Sequence, residues 1–228
     1  MDGYKKRKLT RTRSLKRTRS YPKPRAFALS KNILRDKQRV TMRYATSITL
    51  TGGVAGSFGH IFDANGLYDP DRTGFGHQPR GFDEMMSLYS KYVVIDSKVL
   101  CRFRNGGTAR IIPFIIVTDN QTLGSGVTDA LEHSGCVSGT RRLLRTSTPD
   151  ESGLASQMAL RHHVNVPKWK GVKDLLADTS LQGSNVSNPS DSIYFIIGGV
   201  TDGGFNLVMD VDIEFTAYML DPKQPGQS

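Results

Sequence analysis

Cations are the residues of this chain with the plainest chemistry. Sixteen Lys and Arg side chains lie among the first 43 residues against two acids, Asp2 and Asp36, so this segment carries a formal +14 and the remainder balances at −4. Lys5, Lys6, Arg7, Lys8, Arg11, Arg13, Lys16, Arg17, Arg19, Lys23, Arg25, Lys31, Arg35 and Arg39 are interspersed with Thr, Ser and single apolar residues. No apolar stripe recurs every three or four positions, which excludes an amphipathic membrane helix. A polycation of this density neutralises phosphates, and Arg does so best because its planar fork takes them bidentately. Low hydrophobicity and like charge predict an arm over residues 1–37 that stays disordered until it meets a polyanion. Tyr4, Tyr21 and Phe27 offer rings on which bases stack. The cluster Lys5, Lys6, Arg7 and Lys8 also reads as a nuclear import signal.

The other reactive side chains do not combine into a catalytic pattern. Residues 52–59 (GGVAGSFG) lack the Gly-Lys-Ser/Thr ending of a phosphate loop and read as a turn. His162 and His163 are adjacent in a strand pattern, so their imidazoles diverge. His133 and Cys136 resemble a base and a nucleophile but have no third group and no oxyanion donors beside them. Asp63, Asn65, Asp69 and Asp71 offer oxygens to a hard cation without EF-hand spacing, and Asx turns in an exposed loop are the simpler reading. Cys101 and Cys136 give no disulfide framework and are expected to be reduced and buried. The residues imply no enzyme, no metal and no cofactor.

Behind the arm, residues 38–222 alternate with a period of two, and residues 223–228 form a short tail. Val40, Met42, Tyr44, Thr46, Ile48 and Leu50 share one strand face, as do Val93, Ile95, Val99, Cys101 and Phe103. Phe205, Leu207, Met209, Val211, Ile213, Phe215, Ala217 and Met219 alternate with Asn206, Asp210, Asp212 and Glu214. Residues 111–117 and 193–200 are apolar on both faces and suit central strands, and 158–166 is a sixth strand. Helical signal is confined to residues 82–91 and 126–133, and connections rich in Gly, Pro, Asp and Ser fill 52–80, 118–140 and 168–191. The pattern and the long decorated loops predict an all-β sandwich, among which a jelly roll fits best; alternation alone does not separate it from an immunoglobulin-like one, although Cys101 and Cys136 lie too close together, with Trp169 outside them, for the latter. No apolar run is long enough to cross a bilayer, so no membrane insertion is expected.

Four stretches, in order, carry a resemblance to a known family: the basic N-terminus running into RVTMRYATSITLT, HQPRGFDEMMSLYSKYVVIDSKVLCRFRN, RTSTPDESGLASQMALRHHVNVPKWKG and FNLVMDVDIEFTAYMLDP. The chain resembles the capsid proteins of circovirus-like, Rep-encoding viruses with circular single-stranded DNA genomes. The resemblance implies a single eight-stranded jelly roll whose copies build an icosahedral T=1 shell of sixty subunits, with the arm packaging DNA. Sixty arms at +14 total about +840, enough for a genome on the order of a thousand nucleotides. It implies as partners the chain itself, single-stranded DNA, host import receptors and an attachment receptor, and as locations the virion and the host nucleus. Gln78, Pro79, Arg80, Phe82 and Trp169 are the candidate subunit contacts, on loops of a rigid sandwich. Asp210, Asp212 and Glu214 are expected to face solvent or a neighbouring subunit's arginines. A cellular nucleic-acid-binding module with a basic extension, and an RNA-virus coat of the same fold, remain open alternatives, because phosphate binding does not distinguish the sugar.

Overall fold

The computed structural model describes residues 34–107, 109–124, 126, 128–139 and 157–223. Among the described residues, nine strands form two antiparallel sheets. In chain order they are β1 (Lys37–Gly52), β2 (Gly56–Asp63), β3 (Tyr89–Asn105), β4 (Ile111–Thr118), β5 (Cys136–Ser138), β6 (Gln157–Asn165), β7 (Gln182–Gly183), β8 (Tyr194–Thr201) and β9 (Phe205–Pro222). The first sheet runs β1-β9-β3-β6, with β7 a short addition to β3, and the second runs β2-β8-β4-β5. Eight principal strands divided between two sheets in this order are a jelly roll. The predictions for arm residues 1–33, for residues 140–156 and for the last five residues fall outside the described residues.

Alternation determines which faces meet. Along β9, Leu207, Met209, Val211, Ile213, Phe215, Ala217 and Met219 are buried, and the intervening residues from Val208 to Glu214 are only partly covered. β1 repeats the pattern with Met42 and Tyr44 inside and Thr41, Arg43 and Ala45 outside. These inward residues join Phe103, Val99, Phe62, Phe195 and Ile197 in one cluster between the sheets. Each buried Phe or Leu contributes roughly 1.5–3 kcal/mol to it.

β8 is buried throughout and β4 nearly so, because both of their faces are covered. Ile115, Val117, Phe195 and Ile197 point into the main core, whereas Phe114, Ile116, Ile196 and Val200 form a second cluster with Leu123, Ala130 and Leu131 from the connection after β4. The continuous apolar runs of the sequence therefore reflect a loop folded back over the second sheet.

Three expectations need correction. The parity assigned to the second strand breaks at a β-bulge between Val94 and Asp96. Tyr92 and Val94 pair with Met219 and Ala217 before it, and Val99 and Cys101 pair with Ile213 and Val211 after it, so Ile95 is the unpaired extra residue. The helix predicted over residues 82–91 is α1 (Phe82–Leu88); it stops where Tyr89 turns extended, at φ −123° and ψ 154°. The described part of 126–133 forms turns rather than a helix. α1 is entered through Gly81, whose φ of 87° suits glycine, and it is held by buried Phe82 and Met86 and carries Asp83 and Glu84 at its positive end. A second short helix, α2 (Val166–Lys170), is capped by the Asn165 side chain, which accepts from Lys168 N, and ends at Gly171 with φ 68°.

Candidate functional site

Of the cations singled out from the sequence, Lys5 through Lys31 fall outside the described residues. Arg35 is exposed just before β1, and Lys37, Arg39 and Arg43 project from the exposed face of β1 itself. The basic segment is thus not confined to an arm: its last members are built into an edge strand. Across the same face β3 adds Lys98, Arg102 and Arg104, and β6 adds Arg161.

The acids of this face are largely committed to its own cations. Arg43 Nη2 lies 3.0 Å from Glu214 Oε2, Arg102 Nη1 2.9 Å from Asp212 Oδ2, and Arg104 Nη2 3.2 Å from Asp210 Oδ2. Ser47 Oγ donates to Asp210 Oδ1 at 2.7 Å, and His163 Nε2 pairs with Asp96 Oδ1. The sequence reading had left Asp210, Asp212 and Glu214 to solvent or to a neighbour's arginines; cross-strand geometry pairs them within the sheet. Exposed pairs of this kind contribute about 0–1 kcal/mol each, so they arrange charge more than they stabilise the fold.

The candidate contacts divide by burial. Arg80 is exposed and Gln78 partly so, whereas Pro79 is buried and Phe82 is 0% exposed, its ring set edge-on to Tyr92 at 5.6 Å. Phe82 is a core anchor of α1 and, like Pro79, leaves no surface for a partner. Phe75, inside the segment 74–81 that the sequence offers for contacts but not singled out there, is 95% exposed between Gly74 and Gly76. Only its position among glycines and polar residues signalled that no core was near. Trp169 is 40% exposed while its Nε1 donates to Asp119 Oδ1 at 2.7 Å, so it both anchors α2 and presents a face.

The oxygen cluster is a structural knot. Asp63 and Asn65 are buried, unlike residues of an exposed loop. Asn188 Nδ2 donates to Asp63 Oδ2 and to the Asp69 carbonyl, both at 2.7 Å, and its Oδ1 accepts from Tyr68 N, Asp69 N and Tyr92 Oη, each at 3.1 Å. Arg72 Nη1 reaches Asp63 Oδ2 at 3.3 Å, and Asp71 forms the expected Asx turn, accepting from Thr73 N at 3.1 Å. One side chain, Asn188, therefore stitches the connection after β2 to the connection before β8. Among the described residues no group of three His, Cys, Asp or Glu side chains is placed to hold a metal ion.

Burial pushes the Asp63 carboxyl up to about 6, outweighing the opposing pull of Arg72 and Asn188. With the folded pKa above the unfolded one, the native state takes up the proton first as pH falls, so this group's contribution is full below pH 4 and is lost as pH rises through 6. Over that window the shift corresponds to about 3 kcal/mol. Urea midpoints at pH 4.5 and 7 are expected to show Asp63→Asn gaining on the parent chain as pH rises; parallel curves contradict the assignment.

The remaining reactive residues stay apart. His162 Nε2 lies 2.9 Å from the Gly135 carbonyl while His163 turns to Asp96, so the two rings diverge. Burial pushes the Cys136 thiol up to about 11, and His133 Nδ1 accepts from Gly135 N at 3.2 Å. Cys101 is buried as expected, Cys136 is only half-buried, and neither is in a disulfide.

No family model and no curated protein matches this chain. Solved structures with a similar course include a tobacco necrosis virus structure (10% identity, 85% of this chain and 87% of that chain, TM-score 0.43). Others are the 60-mer BFDV capsid protein (12%, 85% and 100%, TM-score 0.41) and Desmodium yellow mottle tymovirus (9%, 99% and 100%, TM-score 0.37).

Proposed function

We propose that the chain is the capsid protein of a small virus, assembling in sixty copies around single-stranded DNA. The observation that carries this reading is the joining of a +14 segment directly into the edge strand of a jelly roll whose other residues balance at −4. Residues 1–37 bind the genome, residues 38–222 build the shell, and the Lys5–Lys8 cluster serves import into the host nucleus, where assembly takes place. Many copies of a polycation condense a nucleic acid only if like-charged arms are held together by bodies that do not repel one another, and a mildly acidic body with internally paired charges meets that need. The loop bearing Phe75, Gln78 and Arg80, and the exposed face of Trp169, supply contacts between subunits. Ribosomal-type proteins with a basic extension usually carry basic patches on the body to seat on RNA, whereas this body is net acidic and its long Gly-rich loops suit subunit packing better.

The test is to purify the full chain at high salt, lower the salt, and combine negative-stain electron microscopy with the ratio of absorbance at 260 and 280 nm. Uniform closed particles containing nuclease-sensitive DNA are expected. A monomer or small oligomer that binds nucleic acid under every assembly condition overturns the shell.

A further inference from the structure

The exposed face of the first sheet carries a groove of about 610 Å³ that the paired charges do not fill. Its lining includes Arg43, Lys98, Arg102 and Arg161 against Asp212 and Glu214. Both carboxylates are already engaged, Glu214 by Arg43 at 3.0 Å and Asp212 by Arg102 at 2.9 Å. Lys98 is held only loosely, 3.8 Å from Asp96 and 3.9 Å from Glu214, and Arg161 is exposed with no carboxylate of the described residues within ion-pair distance. Surplus positive charge therefore sits in a concavity on a body that is otherwise net acidic. Register explains the hollow: Arg43, Glu214, Lys98 and His163 form one row across four strands, and Ala45, Asp212, Leu100 and Arg161 the next. The methyl of Ala45 is too short to fill its place. Rows on one face are two residues apart, about 7 Å, a step that a stretched single strand matches between successive phosphates.

We propose that this groove is a phosphodiester-binding track for single-stranded nucleic acid, with Arg161 and Lys98 as its free phosphate ligands. The occupant is identified by charge and by continuity. Lys37, Arg39 and Arg43 carry the basic segment onto the same face along β1, so a strand bound by that segment is handed to the groove along the chain. The groove has the size of a site that takes a short piece of a flexible ligand. The proposal rests on the nucleic-acid half of the reading above and is independent of shell formation.

The experiment uses the full chain in unassembled form with oligo(dT). Arg161→Gln combined with Lys98→Gln is expected to reduce the slope of log affinity against log salt by about 1.4, two phosphate contacts at about 0.7 each. Arg161→Lys, which keeps the charge, is expected to restore its share. In the parent chain, oligo(dT) is expected to slow amine acetylation of Lys98 several-fold while exposed Lys173 reacts unchanged. An unaltered slope together with equal Lys98 reactivity overturns the track, even if binding through the N-terminal segment stays strong. Protection of Lys98 that appears on assembly without oligonucleotide, and not with oligonucleotide on the unassembled chain, overturns it as well by making the face a subunit interface. Weakened binding on neutralising the N-terminal segment, with Lys98 still protected at saturating oligo(dT), would separate failure of the arm from failure of the groove and support the track.

Discussion

Deleting residues 1–24 is expected to lower affinity for single-stranded DNA at least about a thousandfold near physiological salt while leaving the body folded. The deletion removes ten cations, Lys5 to Lys23, and each phosphate contact contributes about 0.7 to the salt slope of single-strand binding. The ten deleted cations thus account for up to about 7 of the full chain's slope, or about four orders of magnitude in affinity between 50 and 200 mM salt. The truncated chain starts far lower and should respond less steeply, through the cations from Arg25 to Arg43 and the groove. Its fold should persist because β1 begins at Lys37 and the strands of both sheets lie beyond the cut. Shuffling residues 1–24 is expected to preserve binding, since phosphate contacts position a strand without reading its order. Fluorescence anisotropy with labelled oligo(dT) over a salt series checks both, and tight, salt-sensitive binding by the truncated chain would refute the arm's role.

The second large effect is expected at Gly198. In β8 it stands opposite Gly59 of β2, and a Cβ built there would lie 2.0 Å from the Phe58 carbonyl oxygen and 2.6 Å from Gly59 Cα. Both are backbone atoms of a paired strand, so no side-chain rotation relieves the clash; β2 must separate from β8. That separation withdraws Phe62 from the core and Asp63 from the Asn188 knot together. Gly198→Ala is expected to cost about 4 kcal/mol or more, in the range reserved for failures of packing or backbone. Gly203→Ala is the control: its Cβ would meet only Ala109 Cβ, at the ordinary distance of 3.6 Å. Urea denaturation of both variants should show Gly203→Ala within experimental spread of the parent and Gly198→Ala strongly shifted or insoluble. Similar midpoints for the two would mean that β2 is less tightly apposed than the geometry shows.

The long strands were legible because half-buried strands write their burial into every second residue. β9 announces itself by eight alternating apolar positions, and the doubly covered β4 and β8 by runs such as FIIV and YFII. β2 was missed because its sequence, GSFGHIFD, spends two of eight positions on glycine and carries a histidine, which hides the alternation. β5 and β7, of three and two residues, are too short to show any period. The bulge at Ile95 is silent in sequence because an isoleucine suits either face, and only the pairing with β9 reveals the shift of phase. The polar chemistry was read by type but not by partner. That Asp210, Asp212 and Glu214 would line one face followed from spacing, whereas their pairing with Arg104, Arg102 and Arg43 depends on register between distant strands. Asn188 gave no signal at all, since an asparagine in a Ser- and Pro-rich stretch looks like any turn residue.

The place of β9 bears on how the molecule is made. It is the last strand in chain order, yet it lies between β1 and β3, and the Arg43–Glu214 pair joins residues 171 positions apart. While the chain emerges from the ribosome, β1 and β3 have no common partner, and their apolar faces wait for a strand not yet translated. The sheet can close only when synthesis reaches the residues after Phe205, so pairing is dominated by distant contacts and folding is slow and post-translational. A prematurely terminated chain then lacks the central strand altogether and cannot present the finished face. A chain cut short before Phe205 therefore leaves β1 and β3 without the strand that joins them, with apolar faces exposed to proteolysis.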